Sequence, residues 1–296
     1  MYRGRFAPSP TGPLHFGSLI AAVGSYLEAR SRGGEWLVRI EDTDTPRILP
    51  GAAEEMLRSL IAFGMTWDGT VMFQSTRNDA YRAALEQLRV RGALYDCACT
   101  RREIADSAVH GIDGPVYPGT CREGLPAGRS ARAMRLRTQG ARVSFIDAIQ
   151  GTVTQDVEAA VGDFVVKRAD GLIAYQLAVV VDDAAQGITD VVRGADLLES
   201  TPRQIWLQRL LTLPTPHYAH LPVAVNAQGE KLSKQTLARP INSREPSPQL
   251  LQALRFLGQR PPPTLERCGL PQTWQWAIAN WQSRLVPAVR AIPVAA

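Results

Sequence analysis

The first forty residues constrain this chain more than any other stretch. Gly4–Ala7 has the make-up of a short strand, and Pro8 to Pro13 is a run of turn formers. Gly17–Arg30 then repeats apolar residues at helical spacing through Leu19, Ile20, Val23, Tyr26 and Leu27, and Trp36–Ile40 predicts a second, buried strand. Strand, loop, helix and strand in that order make a βαβ unit. Such a unit calls for a parallel sheet covered by helices and directs a ligand to the carboxyl ends of the strands.

The pattern continues beyond it. Pro50–Gly64 and Asn78–Arg91 are amphipathic helices. From Cys97 to about Thr138 the texture turns to Gly, Pro and cysteine, and Ala133–Arg137, Val143–Ile146 and Thr152–Gln155 alternate like short antiparallel strands. That block reads as an insertion. Asp163–Val166 and Ile173–Val181 return to apolar runs, Ile188–Arg193 is a strand ending on charge, and Pro202–Leu213 is a helix with Thr201 as its N-cap. Pro248–Leu257 and Trp274–Trp281 are two further helices separated by the prolines at 261–263, and the stretch from Arg284 is expected to fray. The expected fold is therefore α/β, a Rossmann-type doubly wound parallel sheet. Its expected segments are a first catalytic half at 1–96, an insertion at 97–160, a second half at 161–240 and a short helical C-terminal region at 241–296.

Composition removes several classes. With 45% hydrophobic and 21% charged residues the chain is neither disordered nor fibrous. Its longest apolar runs, such as Leu177–Val181, fall far short of the roughly 20 residues a membrane helix needs, so no membrane partner is expected. No leader pattern opens the chain, and four cysteines at 97, 99, 121 and 268 do not suggest a disulfide framework, so a cytoplasmic monomer is expected. A net charge of +5 allows a polyanionic partner without requiring one. More telling is the lysine usage: Lys167, Lys231 and Lys234 are the only lysines against thirty arginines, and two of the three lie in Lys231–Leu–Ser–Lys–Gln235. That segment calls for a compact ammonium where a planar guanidinium would not substitute.

Two groups of residues suggest chemistry. Pro8–Ser–Pro–Thr–Gly–Pro–Leu–His–Phe–Gly–Ser18 puts a histidine and two glycines where a strand hands over to a helix N-terminus. The helix dipole and free N–H groups there attract phosphate; Gly17 and Ser18 admit a nucleotide, and His15 can donate to a phosphate oxygen. Cys97–Ala–Cys99 followed by Cys121 has metal-ligand spacing, and three thiolates suit a structural zinc. His110 is the chemically conventional fourth ligand. Cys268 is left over as a plain thiol.

The stretches RFAPSPTGPLHFGS and VRIEDTDTPR, with KLSKQ at 231–235, Val–Val–Arg–Gly–Ala–Asp ending at Asp196 and Ser–Thr–Pro–Arg–Gln ending at Gln204, resemble the glutamyl-tRNA synthetases, class I enzymes with two signature elements. These matches span about four-fifths of the chain in order. The resemblance implies formation of glutamyl-adenylate from ATP, in which charge builds on the phosphates and catalysis is mostly positioning and charge stabilisation. Lys234 on a mobile loop, with Lys231, would act on the phosphates opposite His15, Gly17 and Ser18, and Mg2+ would arrive with ATP. Arg5 and Arg193, at predicted strand ends, would hold carboxylate and Glu41 the ammonium of L-glutamate; Ser9 and Tyr175 complete that pocket by the resemblance alone. The resemblance also points to Tyr117 in place of His110 as the fourth zinc ligand, on an acceptor-type zinc-binding subdomain.

Only about sixty residues follow the second signature, which resembles the shortened glutamyl-Q tRNA(Asp) synthetase group. That likeness implies transfer of glutamate to the queuosine cyclopentenediol of tRNA(Asp), without tRNA being needed for activation. The alternatives are a truncated glutamyl-tRNA synthetase charging tRNA(Glu), and a non-catalytic glutamate- or RNA-binding relative.

Overall fold

The computed structural model of the protein describes residues 1–105, 110–112, 114–232 and 239–294. The opening unit forms as its pattern dictates: β1 (Arg3–Phe6), α1 (Phe16–Ser31) and β2 (Glu35–Ile40), with β1 and β2 paired in parallel, Arg5 opposite Leu37. Then come α2 (Ala52–Ala62), β3 (Met72–Phe73) and α3 (Asn78–Val90), and β3 extends the sheet beside β2, again in parallel. Helix α1 is buried at every position from Leu19 to Ala29 except the half-buried Ala21, because it lies between sheet and other helices rather than on a surface. A Cβ on Gly24 would stand 2.5 Å from the buried Leu221, so this helix approaches its neighbouring strand as closely as only glycine allows.

The cysteine-bearing region begins with β4 (Leu94–Cys97), α4 (Arg101–Ala105) and the two-residue strands β5 (His110–Gly111) and β6 (Gly114–Pro115). It continues with β7 (Ala133–Leu136), β8 (Arg142–Asp147), β9 (Gly151–Asp156), α5 (Val157–Ala160) and β10 (Val165–Lys167). Strand β7 pairs antiparallel with both β4 and β10, whereas the β8–β9 hairpin joins a different sheet, ordered β11-β12-β8-β9. The breaks expected at 97 and 160 thus do not fall between hydrogen-bonded units. Alternation revealed the strands; their partners were set by tertiary packing.

The second half carries α6 (Tyr175–Ala185), β11 (Asp190–Gly194), α7 (Thr201–Leu211), β12 (His217–Leu221) and β13 (Val223–Val225). β11 and β12 are parallel, with Arg193 opposite His220. Thr189 ties β1 to this half: its N–H donates to the Arg3 carbonyl at 3.0 Å and its Oγ1 accepts from Arg3 N–H at 2.8 Å. The carboxyl ends of β1, β2 and β11 thereby face one space. Ser200, not Thr201, is the N-cap of α7 and makes no side-chain cap; Thr201 Oγ1 instead accepts from Arg193.

Last come α8 (Pro246–Phe256), α9 (Leu270–Asn280) and β14 (Ala291–Pro293). Leu250, Leu254 and Trp274 share the core built around α1, and Trp274 Nε1 donates to the Phe63 carbonyl at 2.7 Å. The stretch expected to fray instead pairs Ala291 with Val223 in parallel. A backbone edge on β13 holds it, which composition could not reveal.

Candidate functional site

A cleft of about 780 Å3 opens where β1, β2 and β11 end. Nine residues anticipated from sequence line it: Arg5, Ser9, His15, Gly17, Ser18, Glu41, Tyr175, Arg193 and Lys231. Lys234 lies outside the described residues. Its flanks border the cleft: Leu232 N–H donates to the Ala224 carbonyl at 2.8 Å, and Ile241 N–H to that of Leu14 at 2.9 Å.

At the first wall, His15 is the N-cap of α1 in a capping box. Ser18 N–H donates to its Nδ1 at 3.4 Å, and His15 N–H donates to Ser18 Oγ at 2.7 Å. The cap fixes the rotation of the imidazole at the positive end of the helix. A Cβ on Gly17 would meet the ring at 3.1 Å and the Leu232 carbonyl at 3.3 Å, so a side chain there would crowd both signature elements. Lys231 Nζ donates to Asp196 at 2.6 Å, linking the second element to the residues after β11.

The opposite wall is a buried array of charge. Arg5 donates through Nε to Asp183 Oδ1 at 3.0 Å and through Nη2 to Oδ2 at 3.4 Å. Fully buried Arg39 reaches Asp183 at 2.8 Å and Glu41 at 3.2 Å. Two guanidinium groups and two carboxylates therefore balance. Burial would raise Asp183, but Arg5 and Arg39 outweigh it and hold the carboxyl below its usual range. Glu41 is shifted up: burial exceeds the opposing pull of Arg39 and Arg5.

Arg193 differs. It is 5% exposed, and no carboxylate among the described residues pairs with it. Its donors go to neutral groups: Nε to His220 Nε2 at 3.0 Å, Nη1 to Tyr175 OH at 3.3 Å, and Nη2 to Thr201 Oγ1 at 2.8 Å and the Leu197 carbonyl at 3.4 Å. A buried charge without a counter-charge is unfavourable unless something anionic completes it. Of the two arginines anticipated as carboxylate ligands, Arg5 has its counter-charge inside the protein, whereas Arg193 has only neutral partners among the described residues. Burial also raises Tyr175, which stays a protonated donor.

The sequence reading missed Arg39, Asp183, His220 and Asp147. A signal existed for one of them: Asp182 and Asp183 directly follow the apolar Leu177–Val181, and acids on a buried helix need cations.

Away from the cleft, Cys97, Cys99 and Cys121 bring their sulfurs within 4.8 Å of one another, with Cys99 and Cys121 3.6 Å apart. Sulfurs tetrahedrally bound to one zinc lie about 3.8 Å apart, so the set fits. Tyr117 OH is 3.4 Å from Cys97 Sγ and 3.6 Å from Cys99 Sγ, while His110 does not join the group. Buried Arg135 donates to Cys97 Sγ at 3.3 Å and stacks on the Tyr117 ring at 3.8 Å, as suits an anionic sulfur cluster. No described helix is long and apolar enough to cross a membrane.

The family described as tRNA synthetases class I (E and Q), catalytic domain, matches residues 1–258. The chain is 63% identical to the glutamyl-Q tRNA(Asp) synthetase of Dechloromonas aromatica, over 97% of this chain and 96% of that protein. It is 61% identical to the protein of that name in Aromatoleum aromaticum, over 97% and 90%. Among solved structures it resembles the glutamate tRNA ligase of Elizabethkingia meningosepticum in complex with its amino acid, with a TM-score of 0.79 and 25% identity. That match covers 98% of this chain and 66% of the ligase, so the chain spans about two thirds of it.

Proposed function

The chain belongs to the glutamyl-Q tRNA(Asp) synthetase family of class I tRNA synthetases, and on that premise we propose that it activates L-glutamate with ATP, without tRNA, and transfers it to queuosine at the wobble position of tRNA(Asp). The observation that carries the glutamate assignment is Arg193, a buried guanidinium with only neutral partners at the end of β11. A substrate carboxylate supplies the missing charge, with Tyr175 OH and Arg5 as further donors and Ser9 at the rim. Glu41, across the same cleft, takes the ammonium.

In the first step the glutamate α-carboxylate oxygen bonds to the α-phosphorus of ATP and pyrophosphate leaves. His15 and the N-terminus of α1, with Gly17 and Ser18, bind the phosphates on one side; Lys231 and Lys234 act from the other, and Mg2+ accompanies ATP. In the second, a hydroxyl of the queuosine cyclopentenediol bonds to the adenylate carbonyl carbon and AMP leaves. Cys97, Cys99, Cys121 and Tyr117 would hold one zinc, whose part is to fasten the turns of that module.

Glutamate-dependent ATP–pyrophosphate exchange without tRNA tests the first step; no exchange overturns it. Labelled glutamate with tRNA(Asp) carrying or lacking queuosine, mapped after periodate treatment, tests the second. Label on the 3′ end of tRNA(Glu) instead would overturn the acceptor.

A further inference from the structure

Arg193 has to be held rigidly without being neutralised, and its neighbours meet both demands. On the adjacent strand its register partner is His220, whose Nε2 faces Arg193 Nε at 3.0 Å. Since the guanidinium can only donate, His220 Nε2 is the acceptor and its proton sits on Nδ1. There it is donated to Asp147 Oδ2 at 2.6 Å. Asp147 is itself immobile: Oδ1 accepts the backbone N–H groups of Ile149, Gln150 and His220 at 3.0, 2.9 and 3.1 Å. The chain Asp147–His220–Arg193 thus crosses three parallel strands, β8, β12 and β11, with all its members buried.

We propose that His220, clamped by Asp147, is a positioning residue that sets the plane of the Arg193 guanidinium for the substrate carboxylate; this rests on the role given to Arg193 above. Fixing Nε fixes the plane, because the guanidinium is rigid. Thr201 and the Leu197 carbonyl engage Nη2, and Tyr175 engages one hydrogen of Nη1. The other Nη1 hydrogen has no acceptor among the described residues. A carboxylate at position 220 would hold Arg193 equally well but cancel its charge. A neutral imidazole supplies a directional acceptor, and keeps the Asp147 carboxylate one ring away from the guanidinium.

The test separates the two sides of the imidazole: Nδ1, which faces Asp147, and Nε2, which faces Arg193 and, at 3.2 Å, Thr201 Oγ1. His220→Gln places an amide oxygen near the Nε2 position, keeping an acceptor for Arg193; His220→Asn places an amide nitrogen near Nδ1, keeping the donor to Asp147 but losing the acceptor. Glutamate and ATP KM are read by pyrophosphate exchange, with thermal unfolding as the folding control. His220→Asn is expected to raise the glutamate KM about tenfold or more with the ATP KM unchanged, and His220→Gln to stay within about threefold of the parent protein. In an Arg193→Ala background His220→Asn should add nothing further. Equal rises in both variants, a parent-like KM in His220→Asn, or a parallel rise in the ATP KM overturns the proposal. If His220→Asn does not fold, His220→Gln decides alone: a retained glutamate KM supports positioning and a tenfold rise removes it. Arg193→Ala separates the two levels: an unchanged glutamate KM there removes the role of Arg193 itself, whereas a large defect beside a parent-like His220→Asn removes only the positioning.

Discussion

Arg193 and Arg5 line the same cleft, yet methionine in place of each should have opposite signatures. The Arg193 charge is buried with neutral acceptors only, at 2.8 to 3.4 Å. Replacing it by an apolar side chain of similar length removes a desolvation penalty along with those hydrogen bonds. The two effects offset, and stability should change by no more than about 1 kcal/mol, roughly 2 °C in Tm for a chain of this size. Arg5 is one arm of a buried pair with Asp183. Its removal leaves Asp183 with Arg39 alone, which should destabilise by about 3 kcal/mol and lower Tm by about 6 °C. Glutamate binding should respond in the other order. Losing the Arg193 charge removes charge-assisted bonds worth about 3 kcal/mol, a rise in glutamate KM of about 100-fold. Differential scanning calorimetry and glutamate-dependent pyrophosphate exchange on the two variants supply both numbers. Arg193→Met unfolding as far below the parent as Arg5→Met, or keeping its glutamate KM within threefold, would refute the assignment of Arg193 as the uncompensated charge.

Other consequences are open to direct measurement. Burial, against the pull of Asp147, lowers His220 from 6.5 to about 4. The unfolded chain therefore takes up a proton before the folded one, and stability should fall by about 3 kcal/mol as pH drops from 6.5 to 4. Urea unfolding at pH 4.5 and 7 should show this loss, less of it in His220→Gln, and an identical slope in both proteins contradicts it. Glu41 is shifted up by burial, so glutamate affinity should weaken on the acid side above the ordinary carboxylate range; persistence of that limb in Glu41→Gln assigns it elsewhere. Metal analysis should find about one zinc per chain, reduced in Cys121→Ser and Tyr117→Phe and unchanged in His110→Ala; loss in His110→Ala alone would reassign the fourth ligand. Arg135→Met should speed zinc release to a chelator without changing the ligand count, and an unchanged rate would assign Arg135 to packing only.

Legibility along the chain followed the range of the interactions involved. Helix α1 and the strands around it were readable because periodicity and turn chemistry act over a few residues, and so was the Cys97–Cys99–Cys121 spacing. The signature residues that the structure describes line one cleft because each sits at a strand end or loop whose type was clear locally. The boundaries around 97 and 160 were not readable, since they depend on which strand pairs with which: β4 with β7, but β8 with β12. Nor was the docking of Trp274 beneath Phe63, a contact 211 residues apart.

The charge state of the proposed glutamate pocket shows the division most clearly. Sequence by itself determined that arginines and a glutamate stand at the carboxyl ends of parallel strands beside a helix N-terminus, a cationic place for an anionic substrate. Which arginine carries that charge was decided only when α6 brought Asp183 to Arg5 across 178 residues and β12 set His220, not a carboxylate, against Arg193. Side-chain type is local information, but whether a buried charge is balanced depends on sheet order, register and helix packing, which no short stretch of chain contains.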